Sequence, residues 1–234
     1  MNKLNWLFTF SSLSVVLVTI ERFSPTTKIL LQPYNFLRLH EVVQMSVLIT
    51  LTVLIPFFVV REITNNFETI RERRGFWLFL LFVLGIYFYA TGNGLHEVSS
   101  FNLNNYCDAK NIVGELCNAF FFNDYYTGNI YYFIGGTMMV VAGLLLEKLQ
   151  PRFKFNNREL AISILNAAIY ALAIFAYAAF DVVLVGLIYS VILMIVSLAL
   201  FISIRKNYRK YPLITYTTIT YSLGTIAALL VRFH

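Results

Sequence analysis

Charge is what this sequence has least of. Of its 234 residues only 13% are Asp, Glu, Lys or Arg while 59% are hydrophobic, and mean hydropathy is +0.69. That balance excludes an ordinary soluble domain. Other scarcities narrow the reading further. No internal repeat or low-complexity tract is present, and no His-Glu-x-x-His zinc motif. The last apolar run, 211–231, contains no lysine, which excludes a retinal Schiff base. No pair of spans is interrupted by Gly and Pro in the inverted arrangement expected of a secondary transporter. Cysteine occurs twice, at Cys107 and Cys117.

What is present is hydrocarbon. Seven stretches lack Asp, Glu, Lys and Arg for long enough to cross a bilayer core: 4–20, 42–60, 75–95, 125–146, 160–180, 182–204 and 211–231. The first follows Met1-Asn2-Lys3 and lacks a small-x-small cleavage site before Glu21, so it reads as a span rather than a signal peptide. The prediction is an all-α polytopic protein, with residues 1–234 forming a single seven-helix transmembrane domain.

The net charge of +6 does not call for nucleic acid; its distribution sets orientation instead. Basic clusters follow span 2 (Arg61, Arg71, Arg73, Arg74), span 4 (Lys148, Arg152, Lys154, Arg158) and span 6 (Arg205, Lys206, Arg209, Lys210). With Lys3 they put 13 of the 18 basic residues on one side. The positive-inside rule then predicts a cytoplasmic N-terminus and an outer or lumenal C-terminus. The host membrane would be the plasma membrane in a prokaryote and the endoplasmic reticulum in a eukaryote. Cys107 and Cys117 fall in the longest outer loop, where a disulfide is permitted. Sequence spacing does not fix their Cα separation, so bridged and free states both stay open.

All three histidines also fall outside, two of them in His40-Glu41 and His96-Glu97. Counting along the helices sets their depth. His40 is about 30 Å from the inner end of its span, His96 about 32 Å and Asp124 about 34 Å, at the helical rise. Helical spacing places Gln44 on the face of His40, and Asn93 and Ser100 on the face of His96. Between them, the outer loops read as a short interfacial segment over 21–39 and an Asn-rich, then aromatic, cap over 98–122. On the inner side, 61–74 is either a solvated helix end or an extension of helix 2 past the membrane. Gly135, Gly136 and Gly186 mark expected close helix contacts.

Two explanations compete for the outer polar groups. Helix ends routinely carry polar residues, Asn123 and Asp124 would cap helix 4, and paired polar groups glue bundles together. Alternatively they form a pocket of His40, Glu41, His96, Glu97 and Asp124, since ionisable groups within membrane spans mark functional sites. Such a pocket would handle a lipid headgroup or small polar ligand. His40, His96 and Asp124 could hold a divalent metal such as zinc, or His and Asp could act as an acid–base pair in a lipid hydrolase or transferase.

Three segments carry a family resemblance: Leu39-His40-Glu41, Gly92-Asn93-Gly94-Leu95-His96, and Phe121-Phe122-Asn123-Asp124-Tyr125-Tyr126-Thr127-Gly128-Asn129. In order and spacing the chain resembles the CLN-six type of endoplasmic-reticulum membrane protein, the family altered in one form of neuronal ceroid lipofuscinosis. The resemblance covers the middle third; beyond residue 150 only the span pattern corresponds. It implies seven spans, a cytoplasmic N-terminus, a lumenal C-terminus and a role tied to trafficking of lysosomal enzymes. The third segment departs from the family's Tyr-Asp-Glu-x-x-Gly-His run, reading Asn123 and Asp124 where that run has acids and Asn129 where it has histidine. Ser100 stands where a polar or acidic partner of His96 is expected.

Overall fold

The computed structural model describes residues 2–108, 110–151 and 153–234; Arg152, counted above with the basic cluster after span 4, lies outside them, as does Met1. Among the described residues the regular structure is helical, and seven helices are long and apolar enough to cross a membrane. They are α1 (Lys3–Glu21), α2 (Leu39–Ile63), α3 (Arg73–Tyr106), α4 (Glu115–Leu149), α5 (Asn157–Phe180), α6 (Val185–Ile204) and α7 (Pro212–Phe233). The basic loops gather at one end of the bundle and the histidines at the other.

The starts and stops follow local chemistry. The Asn2 side chain accepts the N–H of Leu4 at the start of α1. Asn156 and Glu159 exchange backbone bonds to open α5, satisfying N–H groups that have no partner within the helix. At the far end of α2, Asn65, Asn66 and Phe67 take left-handed φ values of 55°, 52° and 70°. The helix therefore stops at Ile63, and 61–74 does not continue it past the membrane; a short 3₁₀ turn, Glu68–Arg71, follows instead.

Two helices are longer than their apolar runs. α3 continues through His96-Glu97 to Tyr106, and α4 already begins at Glu115, so the expected cap over 98–122 is mostly two helix ends. No Pro or Gly stands within 98–106; α3 ends where Cys107 turns extended, and Gly114, with φ +91°, precedes the start of α4. Cys107 and Cys117 close this connection as a disulfide, with Cα atoms 5.8 Å apart.

α3 and α4 pack backbone against backbone at their glycines. A Cβ on Gly92 would meet the Tyr132 backbone nitrogen at 2.2 Å, and one on Gly135 would meet that of Tyr89 at 2.2 Å. Gly128 would meet the His96 backbone at 2.9 Å, and Gly85 the Gly135 carbonyl at 2.9 Å. Gly85 and Gly92 on one helix, and Gly128 and Gly135 on the other, repeat every seven residues, so each lies on the contact stripe. The expected tight contacts at Gly136 and Gly186 are also present, against the Tyr189 hydroxyl and the Tyr177 carbonyl.

α1 packs on α5 through polar bonds: the Asn5 amide donates to the Glu159 carbonyl, Ser12 to the Asn166 carbonyl, and the Asn166 amide to Thr9. α7 is the most buried of the seven. Its Thr218 and Thr220 hydroxyls donate to carbonyls of α6 and α5, and its start is held by α4, where both Glu147 oxygens accept backbone N–H groups, from Leu213 and Ile214, at 2.8 Å.

Candidate functional site at the histidine end

The site begins with two residues that are badly placed for their own helices. Glu21 sits in the last turn of α1 and His40 in the first turn of α2. The helix dipole disfavours an anion at a C-terminus and a cation at an N-terminus. They face each other: His40 Nδ1 lies 2.6 Å from Glu21 Oε2, with the carboxylate off the hydrogen-bonding direction of the ring nitrogen. The other ring nitrogen faces Glu97 on α3, with Nε2 to Oε2 at 3.8 Å. Gln44, one turn beyond His40 as its spacing predicts, donates to the same Glu21 oxygen at 2.8 Å.

A second pair stands beside the first, between α3 and α4. His96 Nδ1 lies 2.7 Å from Asp124 Oδ1 and 3.2 Å from the Asp124 carbonyl oxygen. With Nδ1 facing two acceptors, the neutral ring keeps its proton there and leaves Nε2 as the basic nitrogen. Arg22 and Glu97 interact electrostatically with one another, and Arg22 also with Asp124. Asp181, in the α5–α6 connection, is coupled to His96. Burial pushes the Asp181 carboxyl above its ordinary range, against the opposing pull of the Val183 N–H, His96 and Arg232.

Backbone geometry marks the same place twice. α2 is π-helical over Gln44–Leu48, and α4 over Asn123–Gly128. Single π turns inside α-helices carry an extra residue per turn, cost helical stability and recur at functional sites. Asp124 is therefore no N-cap: its helix starts nine residues earlier, and the residue lies in the π turn. Each histidine-bearing contact has one π turn among its partners.

Not every sequence candidate joins the cluster. Glu41 is turned to its own helix start, where its carboxylate accepts the Arg38 backbone N–H at 2.8 Å and pairs with the Arg38 guanidinium. It is a cap, and the arginine lies over the Phe101 ring. Ser100 bonds to Asn104 on the exposed side of α3, and the Asn129 amide folds back to the Tyr125 carbonyl. Asn123 is half-buried, and Asn93 carries a buried amide nitrogen with no hydrogen-bond partner. The expected metal set of His40, His96 and Asp124 is not assembled. His40 is claimed by Glu21 of α1 and His96 by Asp124 of α4. Among the described residues no group of three or more His, Cys, Asp or Glu is arranged to hold a metal ion. Glu21 is the residue sequence reasoning missed, and its signal was available: an acid closing an otherwise apolar helix.

Three buried polar atoms at this end lack a hydrogen bond: His40 Nδ1, Asn93 Nδ2 and Asp124 Oδ1. Buried polar groups are otherwise almost always bonded. Fold and site together define an all-helical, multi-pass membrane protein with a buried imidazole–carboxylate cluster at one end. Comparison of the chain with protein-family models, curated proteins and solved structures finds no match in any of the three.

Proposed function

We propose that the histidine-end cluster binds a polar lipid headgroup or a small polar ligand, in the service of holding or trafficking it. The observation that carries this reading is the set of unpartnered buried atoms. Asn93 Nδ2 offers a donor, and Asp124 Oδ1, which faces His96 without accepting a hydrogen bond, offers an acceptor at the same end of the bundle, so a ligand bearing a hydroxyl, carbonyl or phosphoryl group meets needs the protein leaves unmet. The basic end faces the cytoplasm by the positive-inside rule, which puts the cluster on the outer or lumenal side. The resemblance to the CLN-six type supports the same orientation and an endoplasmic-reticulum membrane.

The test is lipid mass spectrometry with elemental analysis on purified protein. One polar lipid or small molecule should be enriched over the bulk membrane, and a His40→Ala, His96→Ala double variant should lose it. No enriched ligand, no metal, and no change in the double variant would sink the reading.

A second reading rests on the His96–Asp124 pair alone. A ring whose Nδ1–H is held by the Asp124 main-chain carbonyl, with the carboxylate 2.7 Å away, keeps Nε2 basic, the arrangement of a general base. The reaction would be hydrolysis or transfer at a lipid headgroup. Headgroup release by wild type that is lost in Asp124→Asn would favour it over binding.

A further inference from the structure

A cavity of about 140 Å³ lies in the middle of the bundle, walled by side chains from all seven helices. Its depth separates it from the cluster: Tyr89 on its wall is seven residues before His96, about 10 Å lower at the helical rise. On the other side, Gly143 is one turn short of Glu147.

Its chemistry differs from that of the cluster. Among the described residues no charged side chain and no histidine lines it. The wall is mostly aliphatic and aromatic, with tyrosine hydroxyls distributed among the rings. Some of these are already used: Tyr189 bonds Tyr221, and Tyr89 bonds Tyr132 at 2.8 Å. Tyr170 on α5 is different, because its hydroxyl has no hydrogen-bond partner among the described residues. Pro56 in α2 has no N–H to give the Thr52 carbonyl four residues earlier, and both residues line the cavity.

We propose that this cavity is a binding site, independent of the histidine-end cluster, for an uncharged, ring-sized molecule carrying a hydroxyl group. The size argument is direct: an apolar cavity of about 150 Å³ takes benzene and stays dry without it. Charge is excluded by the lining, since an ion in the bundle interior would have no counter-ion there. A ligand hydroxyl accepts from Tyr170, and the Thr52 carbonyl, to which Pro56 has no N–H to give, is an acceptor for its proton. The apolar ring takes the remaining wall of aliphatic and aromatic side chains.

The probes are 4-fluorophenol and 4-fluorotoluene, followed by fluorine NMR on purified protein in lipid nanodiscs. Wild type should bind both saturably, the phenol more tightly. Tyr170→Phe keeps the ring and removes the hydroxyl; it should weaken the phenol about tenfold, the worth of one hydrogen bond, and leave the toluene unchanged. Ser11→Leu fills the wall from α1 and should abolish both. Thermal unfolding of each variant verifies that it is folded. The proposal is overturned if neither probe saturates, if Ser11→Leu leaves both unchanged, or if Tyr170→Phe affects the two probes equally.

Discussion

At the scale of the residue, Glu21 is the hinge of the cluster. It faces His40, accepts from the Gln44 amide and accepts from the Thr26 hydroxyl. Glu21→Ala should therefore cost about 1–3 kcal/mol, the penalty for leaving buried donors unpaired. The diagnostic is coupling. If the pair acts as a unit, Glu21→Ala and His40→Ala together should destabilise by clearly less than their sum in thermal unfolding; strict additivity would mean that the 2.6 Å contact contributes nothing. The partnership was half legible in the sequence. His40 and Gln44 share a helical face by spacing alone, and the structure turns both toward Glu21. Which residue they faced was not legible, because Glu21 lies across a loop of seventeen residues whose path depends on tertiary packing. Glu41 shows the reverse error: adjacency to His40 made it look like a pocket carboxylate, while its side chain caps its own helix.

Among the elements, the α3–α4 pair is held by absent side chains. Gly92→Ala places a methyl where the Tyr132 backbone nitrogen is 2.2 Å away, and backbone cannot rotate aside. Overpacking of this kind costs about 1–3 kcal/mol or more, so the variant should unfold or proteolyse well below wild type. Gly94→Ala on the same helix is the control: its methyl would meet only the Met45 sulfur, at 3.9 Å, and the change should be neutral or slightly stabilising. Equal behaviour of the two variants would refute the close-packed stripe. Helix number and position were readable from apolar length, because a bilayer sets that length. The extents of α3 and α4 were not. Beyond the membrane, polar residues such as Asn102 and Asn104 continue a helix as readily as they form a loop, and hydropathy does not distinguish the two. The π turns were equally hidden, since they follow from how α2 and α4 fit their neighbours rather than from a residue signature.

For the molecule as a whole, the disulfide reports orientation. If the histidine end faces outward, as the proposed function has it, the Cys107–Cys117 bridge forms in an oxidising compartment, and a membrane-impermeant reductant should reach it in intact right-side-out vesicles. A maleimide gel shift after such treatment checks this; reduction only after the bilayer is opened would reverse the orientation. The same axis separates the two proposed sites, one ionic and near the rim, the other uncharged and in the middle, so a molecule suited to one is poorly suited to the other. Finally, the Glu147 contact bears on the order of assembly. The carboxylate on α4 is made early, whereas the backbone groups that satisfy it belong to Leu213 and Ile214 at the start of the last helix. Until α7 arrives, the nascent bundle carries a buried acid with no ligand. A chain that stops short of Leu213 is thus distinguishable from one that passes Ile214 by a single chemical criterion, whether that carboxylate is bare or clasped.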